Sequence, residues 1–154
     1  MMAKQKRPQK IYIGSDHNGF FVKKNLVSYL LGSGYEVNDM GPRRMNKLDD
    51  YPDYAQKVCK KVVKNKAVGI LICGSGQGME IAANKIRGIY AANCWNERTA
   101  RLAKEHVGAN VLCLPGWIVD GRVARRIVSA WLNAKTATER RFIRRRNKIK
   151  RLER

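Results

Sequence analysis

Residues 68–78 read Val68-Gly69-Ile70-Leu71-Ile72-Cys73-Gly74-Ser75-Gly76-Gln77-Gly78. Val68 to Ile72 is an apolar run without polar alternation, the pattern of a parallel strand covered on both faces. The glycine-rich turn that follows gives way at Gly78 to a helical stretch reaching Lys85. Strand, tight loop and helix make half of a βαβ unit, and the same rhythm recurs on both sides. Upstream, Ile11–Ser15 and Tyr35–Met40 read as strands; downstream, Ile89–Asn93 and Asn110–Leu114 do. Between them lie helical rows: Val22, Leu26, Tyr29 and Leu30, then Ala55, Val58, Cys59 and Val62 behind Tyr51-Pro52, then about Asn96 to Glu105. A last row holds Val123, Ile127, Trp131 and Ala134. Five strands alternating with five helices imply right-handed crossovers and an α/β fold. The expected architecture is a three-layer αβα sandwich, a Rossmann-like, doubly wound five-stranded parallel sheet. Beyond it, Phe142, Ile143, Ile149 and Leu152 form an apolar stripe interrupted by Arg144–Arg146. That predicts an extra C-terminal basic helix, too thinly apolar to stand alone, packed on the body or on a neighbouring subunit.

The chain has 154 residues, enough for one domain with a real core, and 32 basic against 12 acidic side chains give a formal charge of +20. No apolar run approaches the roughly 18 residues of a membrane span. Residues 1–10 are basic and lack an apolar centre, so they do not read as a secretory signal. The expectation is a cytoplasmic protein without membrane contact. The charge concentrates at a basic N-terminal extension (1–10) and a basic C-terminal helix or tail (137–154), flanking a domain over 11–136. Basic ends either touch nucleic acid through counterion release or serve as solubilising surface. The four cysteines show no CxxC spacing, and neither a zinc site nor a disulfide framework is expected. Cys59 and Cys113 sit in apolar rows as small buried hydrophobes; Cys94 fits either reading.

In an open parallel sheet, ligands bind beyond the carboxyl ends of the strands. The loops to inspect are therefore Ser15–Gly19, Cys73–Gly78, Cys94–Glu97 and Pro115–Gly121. The glycine loop is neither a Walker motif nor a dinucleotide fingerprint. Its glycines let a ligand approach backbone N–H groups at a helix start, which suits an oxyanion or phosphate; tight packing is the other use of such glycines. A thiol at that place has its anion favoured and can act as nucleophile or proton-transfer base, unless Cys73 is simply buried and inert. Asp16-His17 ends the first strand and suits sugar hydroxyls or proton movement. His106 follows the fourth helix and is read as belonging to the same sheet edge. Two histidines and scattered acids make no metal cluster.

These segments carry a resemblance. Ile13-Gly14-Ser15-Asp16-His17-Asn18-Gly19-Phe20, Asp50-Tyr51-Pro52, Gly69 to Gly78 and Ile81-Ala82-Ala83-Asn84-Lys85 look like the type B ribose-5-phosphate isomerase and galactose-6-phosphate isomerase family. The likeness runs on through Ala103-Lys104-Glu105-His106 and Asn110-Val111-Leu112 to Trp131-Leu132. It implies that 11–136 is a sugar-phosphate isomerase domain interconverting aldose and ketose phosphates without metal or cofactor. It further implies a homodimer or homotetramer with active sites at the subunit interface, a phosphorylated sugar as partner, and no nucleic acid. By position, Cys73 matches the base of the family's cysteine branch; the acid of the glutamate branch would fall at Met79, so Glu80 inherits no role. Ser75 matches the assisting hydroxyl, and the amides of Gly74, Ser75, Gly76, Gln77 and Gly78 the enediolate cradle. His106 matches the ring-opening group. Asp16, His17 and Tyr51 match substrate-binding positions, and Arg140 and Arg144 the phosphate-binding arginines, often supplied across the dimer. Two positions depart from the family: Val107 stands where asparagine is common, and Pro115-Gly116-Trp117 replaces an arginine-bearing turn. The implied reaction is ribose 5-phosphate to ribulose 5-phosphate through a cis-enediolate with Cys73 as base. Alternatives are isomerisation of a six-carbon sugar phosphate (allose or galactose 6-phosphate), or a non-catalytic sugar-phosphate or nucleic-acid binding protein with basic tails.

Overall fold

The computed structural model describes residues 9–153. Most of the N-terminal basic extension thus lies outside the described residues. Lys10 does not: it is the first residue of β1 (Lys10–Ser15) and pairs with Glu36 at 2.9 Å. A short 3₁₀ turn, His17–Gly19, leads into α1 (Phe20–Gly32). Then follow β2 (Glu36–Asp39), α2 (Tyr51–Asn65), β3 (Val68–Cys73), α3 (Gln77–Asn84) and β4 (Ala91–Asn93). The chain continues through α4 (Glu97–Val107), β5 (Val111–Pro115), α5 (Gly121–Asn133) and α6 (Arg140–Arg151). All five strands are parallel in the order β2-β1-β3-β5-β4. The strand order reverses between β1 and β3, and that switch opens a crevice at their carboxyl ends.

Side chains alternate across the sheet and sort the helices into two layers. Ile11, Ile13, Ile70, Ile72, Leu112 and Leu114 face α1, α4 and α5. Tyr12, Leu71, Cys73, Val111 and Cys113 face α2 and α3. This is the three-layer sandwich expected from the alternation. Cys59 and Cys113 are core residues as read, and Cys94 is buried with them.

Two local readings change. The α5 stripe is Ala124, Ile127, Val128 and Trp131; Ala134 is already extended, past the helix end. The fourth strand pairs only from Ala91, because Ile89 N–H donates to Ile86 O in a turn instead. A feature the apolar row did not show is a charge inside α1: Lys23, next to Val22, is 1% exposed. Its ammonium donates to both oxygens of Asp39 at 2.6 and 2.7 Å and to Pro42 O at 2.9 Å. It thereby ties α1 to the end of β2. The basic tail does fold as a helix and packs on the body. Phe142 is buried and stacks on the His106 ring with centroids 4.5 Å apart, while Arg146 donates to His106 O and Ala137 O.

Lys23 is buried while Asp39 is partly exposed, so removing Asp39 leaves a buried ammonium without its counter-charge. Asp39→Ala is expected to cost about 3 kcal/mol, whereas Lys23→Met removes the charge together with its burial penalty and costs less. Urea melts of the two variants check this order.

Candidate active site

Cys73 closes β3 with its side chain on the α2–α3 face, 4% exposed. The chain then turns through Gly74-Ser75-Gly76 into α3, and the backbone N–H groups of Met79, Gly76 and Gly78 point at the thiol. Burial is the largest influence and pushes the Cys73 thiol up; the three amides pull the other way, and the Asp16 charge adds to the rise. A helix start therefore does not by itself hold this cysteine as a thiolate, contrary to the expectation from its position. The other cysteines have no such amides: burial alone pushes Cys59 up to about 12, and burial foremost pushes Cys94 up to about 11 and Cys113 well above its ordinary value.

The loop glycines turn out to make room for neighbours as well as for a ligand. A Cβ on Gly74 would lie 2.5 Å from Cε2 of Trp117, and one on Gly78 would lie 2.5 Å from Cζ of Tyr51. Gly76 has φ +77°, a conformation that L residues rarely adopt, and its added Cβ would collide with Asn93 Oδ1. Asn93 in turn donates from Nδ2 to Ser75 O at 3.0 Å, holding the loop from β4. A cleft of about 290 Å³ results, floored by Cys73, Gly74, Ser75 and Gly78 and walled by Tyr51, Trp117 and Asp16. Gln77 and Asn18 complete its border.

Asp16 is 4% exposed, and its Oδ1 accepts from Asn18 N at 2.9 Å and Gly19 N at 3.2 Å, capping the 3₁₀ turn. Burial pushes its carboxyl up against those amides. His17 belongs to a different contact. Its Nδ1 lies 2.7 Å from Oδ1 of Asp49, an oxygen that also accepts the His17 backbone N–H at 3.1 Å. Asp49 was missed by sequence reasoning; its only signal is its place directly before Asp50-Tyr51-Pro52.

His106 stands elsewhere, and this corrects its assignment to the carboxyl edge. A crossover helix runs back along the sheet, so the last turn of α4 ends beside the amino end of β5. Arg140 and Arg144 are exposed on α6, which packs against that end of α4. Together with Ile143, Asn147, Lys148 and Arg151 they line a second recess, of about 300 Å³. One chain therefore unites Cys73, Ser75, Asp16, Tyr51 and the loop amides, and keeps His106, Arg140 and Arg144 on the opposite edge. Among the described residues no three His, Cys, Asp or Glu side chains converge as a metal site.

The sequence profile of the ribose/galactose isomerases matches residues 11–149. The chain belongs to that family. It is 45% identical over 126 residues to a probable ribose-5-phosphate isomerase B of Mycoplasma genitalium, covering 80% of this chain and 83% of that one. It is 42% identical over 127 residues to ribose-5-phosphate isomerase B of Escherichia coli, covering 82% and 85%. Among solved structures, the Mycoplasma genitalium ribose-5-phosphate isomerase B with bound ribulose-5-phosphate superimposes with a TM-score of 0.92 at 42% identity, over 96% of this chain and 98% of that one. In this isomerase of the family, the described residues contain no helix long and apolar enough to cross a membrane.

Because burial raises the Cys73 thiol above its usual range, its thiolate fraction grows with pH right through neutrality. Carboxamidomethylation of Cys73 by iodoacetamide is expected to accelerate about tenfold per pH unit from 7 to at least 9, with Cys59, Cys94 and Cys113 unmodified. Peptide mass spectrometry reads each site; a pH-independent rate at Cys73 would contradict the burial argument.

Proposed function

We propose that the chain interconverts ribose 5-phosphate and ribulose 5-phosphate by proton transfer at Cys73. The observation that carries this is the pairing of a cleft-facing thiol with loop amides converging on the same small space. The hydrogen on C2 of an open-chain aldose is weakly acidic, so its removal needs a placed base and a stabilised oxyanion. The Cys73 thiolate takes the C2 proton, and the C–H electron pair moves through C1–C2 to the carbonyl oxygen, giving a cis-enediolate. The amides of the 74–78 loop face the developing charge, and Ser75 hydroxyl lies beside it to relay the proton between O2 and O1. Return of the proton from the thiol to C1 yields the ketose.

Ring opening and phosphate binding fall to His106, Arg140 and Arg144, and their position at the far edge calls for a second copy of the chain. In a two-fold assembly the cationic edge of one subunit closes the Cys73 cleft of its partner, and the exchange is reciprocal. Segments bordering the cleft expose apolar side chains that suit such burial: Phe21 at 70%, Leu48 at 91% and Ile118 at 71%. The two guanidiniums bind phosphate with directed, charge-assisted hydrogen bonds, which orients the reacting end over Cys73. The reading is thus an obligate oligomer with shared sites, acting on a phosphorylated sugar and needing neither metal nor cofactor.

Purified protein is expected to convert ribose 5-phosphate to ribulose 5-phosphate, with allose and galactose 6-phosphates giving lower kcat/KM. Cys73→Ala is expected to lower kcat by about 10²–10⁴-fold, the share of a positioned base; undiminished turnover removes Cys73 from the mechanism. Mixing inactive Cys73→Ala and His106→Ala subunits is expected to restore about a quarter of the activity, since half of randomly assorted dimers hold one intact site. No recovery on subunit exchange would overturn the shared site.

A further inference from the structure

Trp117 is an unusual side chain to leave in water. It is 71% exposed, yet its six-membered ring edge rests on Gly74, next to the thiol-bearing residue. Its backbone is fixed: Trp117 N–H donates to Gly74 O at 2.9 Å, and Ile118 and Val119 N–H groups donate to Pro115 O at 2.9 and 3.0 Å. The turn that carries the indole is therefore preset beside the cleft, and covering the ring orders the side chain alone. Across the loop, Tyr51 rests on Gly78 in the same manner and is 39% exposed. The rest of the border is polar: Asp16, Asn18, Ser75 and Gln77. A cleft with two aromatic walls, a floor of amides and polar corners matches a sugar, whose carbons offer a C–H face and whose hydroxyls point away from it.

We propose that Trp117 is a specificity-determining residue that contacts the sugar and sets its length. With C2 held over Cys73, the remaining carbons of a five-carbon sugar phosphate lie along the indole face and gain apolar contact there. A sixth carbon with its hydroxyl must either displace the ring or lift C2 from the thiol. Gly74 is part of the device, because any Cβ there drives the indole out of place.

This inference rests on the isomerase reading, and binding separates the two. The test uses the full chain carrying Cys73→Ala, so that sugars bind without turnover, and follows indole fluorescence. Ribose 5-phosphate is expected to change the emission, and the change should vanish when Trp117→Phe is added. By isothermal titration, Trp117→Ala is expected to weaken ribose 5-phosphate about tenfold and allose 6-phosphate much less, narrowing the discrimination about tenfold. Trp117→Phe should keep the ratio of the two affinities within about threefold, since an aromatic wall remains. Light scattering of each variant reports assembly. Emission unmoved by sugar, equal weakening of both sugars, or loss of assembly on Trp117→Ala would each overturn the proposal, the last by making Trp117 an interface residue. Absence of ribose 5-phosphate turnover in the unmodified chain would instead sink the isomerase reading and leave the binding comparison to judge Trp117.

Discussion

The site depends on three carbonyls at the end of β3. Ile72 O accepts from Asp16 N at 3.2 Å, Cys73 O from Gly116 N at 2.8 Å, and Gly74 O from Trp117 N at 2.9 Å. Each bond extends the sheet ladder one step past the strand ends, so the loops after β1 and β5 are pinned to the loop after β3. That is why residues from three distant parts of the chain share one cleft. Glycines follow from the same constraint. A Cβ on Gly19 would lie 2.6 Å from Ile72 O, and one on Gly116 would lie 2.8 Å from Asn18 O. Strand order decides which loops meet, and these bonds decide how closely.

The close approach has a chemical consequence at Cys73. Shutting water away from the thiol disfavours its anion, and three amides offset this only in part. In the proposed assembly the partner's arginines supply what a single chain lacks. Cations brought by the partner favour the thiolate against the burial that disfavours it, so in that assembly proton abstraction is tied to the subunit contact. The bound phosphate works against this by neutralising the guanidiniums, which leaves the loop amides as the lasting support for negative charge.

Much of the fold was legible because apolar period and glycine punctuation are local properties. The five strands, the Cys59 row and the glycine loop could all be read that way. What escaped were long-range relations. Lys23 looks like a misfit on an apolar helix face until Asp39, sixteen residues on, is placed against it. Asp49 gains meaning only when the loop before α2 folds over His17. The glycine loop reads as open to a ligand or tightly packed, and which neighbours fill its space, Trp117, Asn93 and Tyr51, shows only in the fold. His106 was assigned to the wrong edge although the topology already held the answer. A residue at the end of a crossover helix returns to the amino edge, so only loops that leave a strand reach the crevice.

The basic tail shows how cations counted along a sequence can serve the fold itself. Arg141 and Arg145 lie over the Phe142 ring at 4.7 and 6.0 Å, and Arg146 caps backbone carbonyls of His106 and Ala137. Phe142 in turn stacks on His106. Arg146 and the Phe142–His106 stack fasten α6 to the end of α4, while Arg141 and Arg145 cover the Phe142 ring from within α6. Arg140 and Arg144 stand apart from that work, and their side chains project from a helix already held rigid. In the proposed phosphate site, a guanidinium pair carried on a fixed helix loses less entropy on binding than one on a flexible tail. Three of the tail's cations thus make contacts within the fold, and Arg140 and Arg144 stay exposed on the same helix.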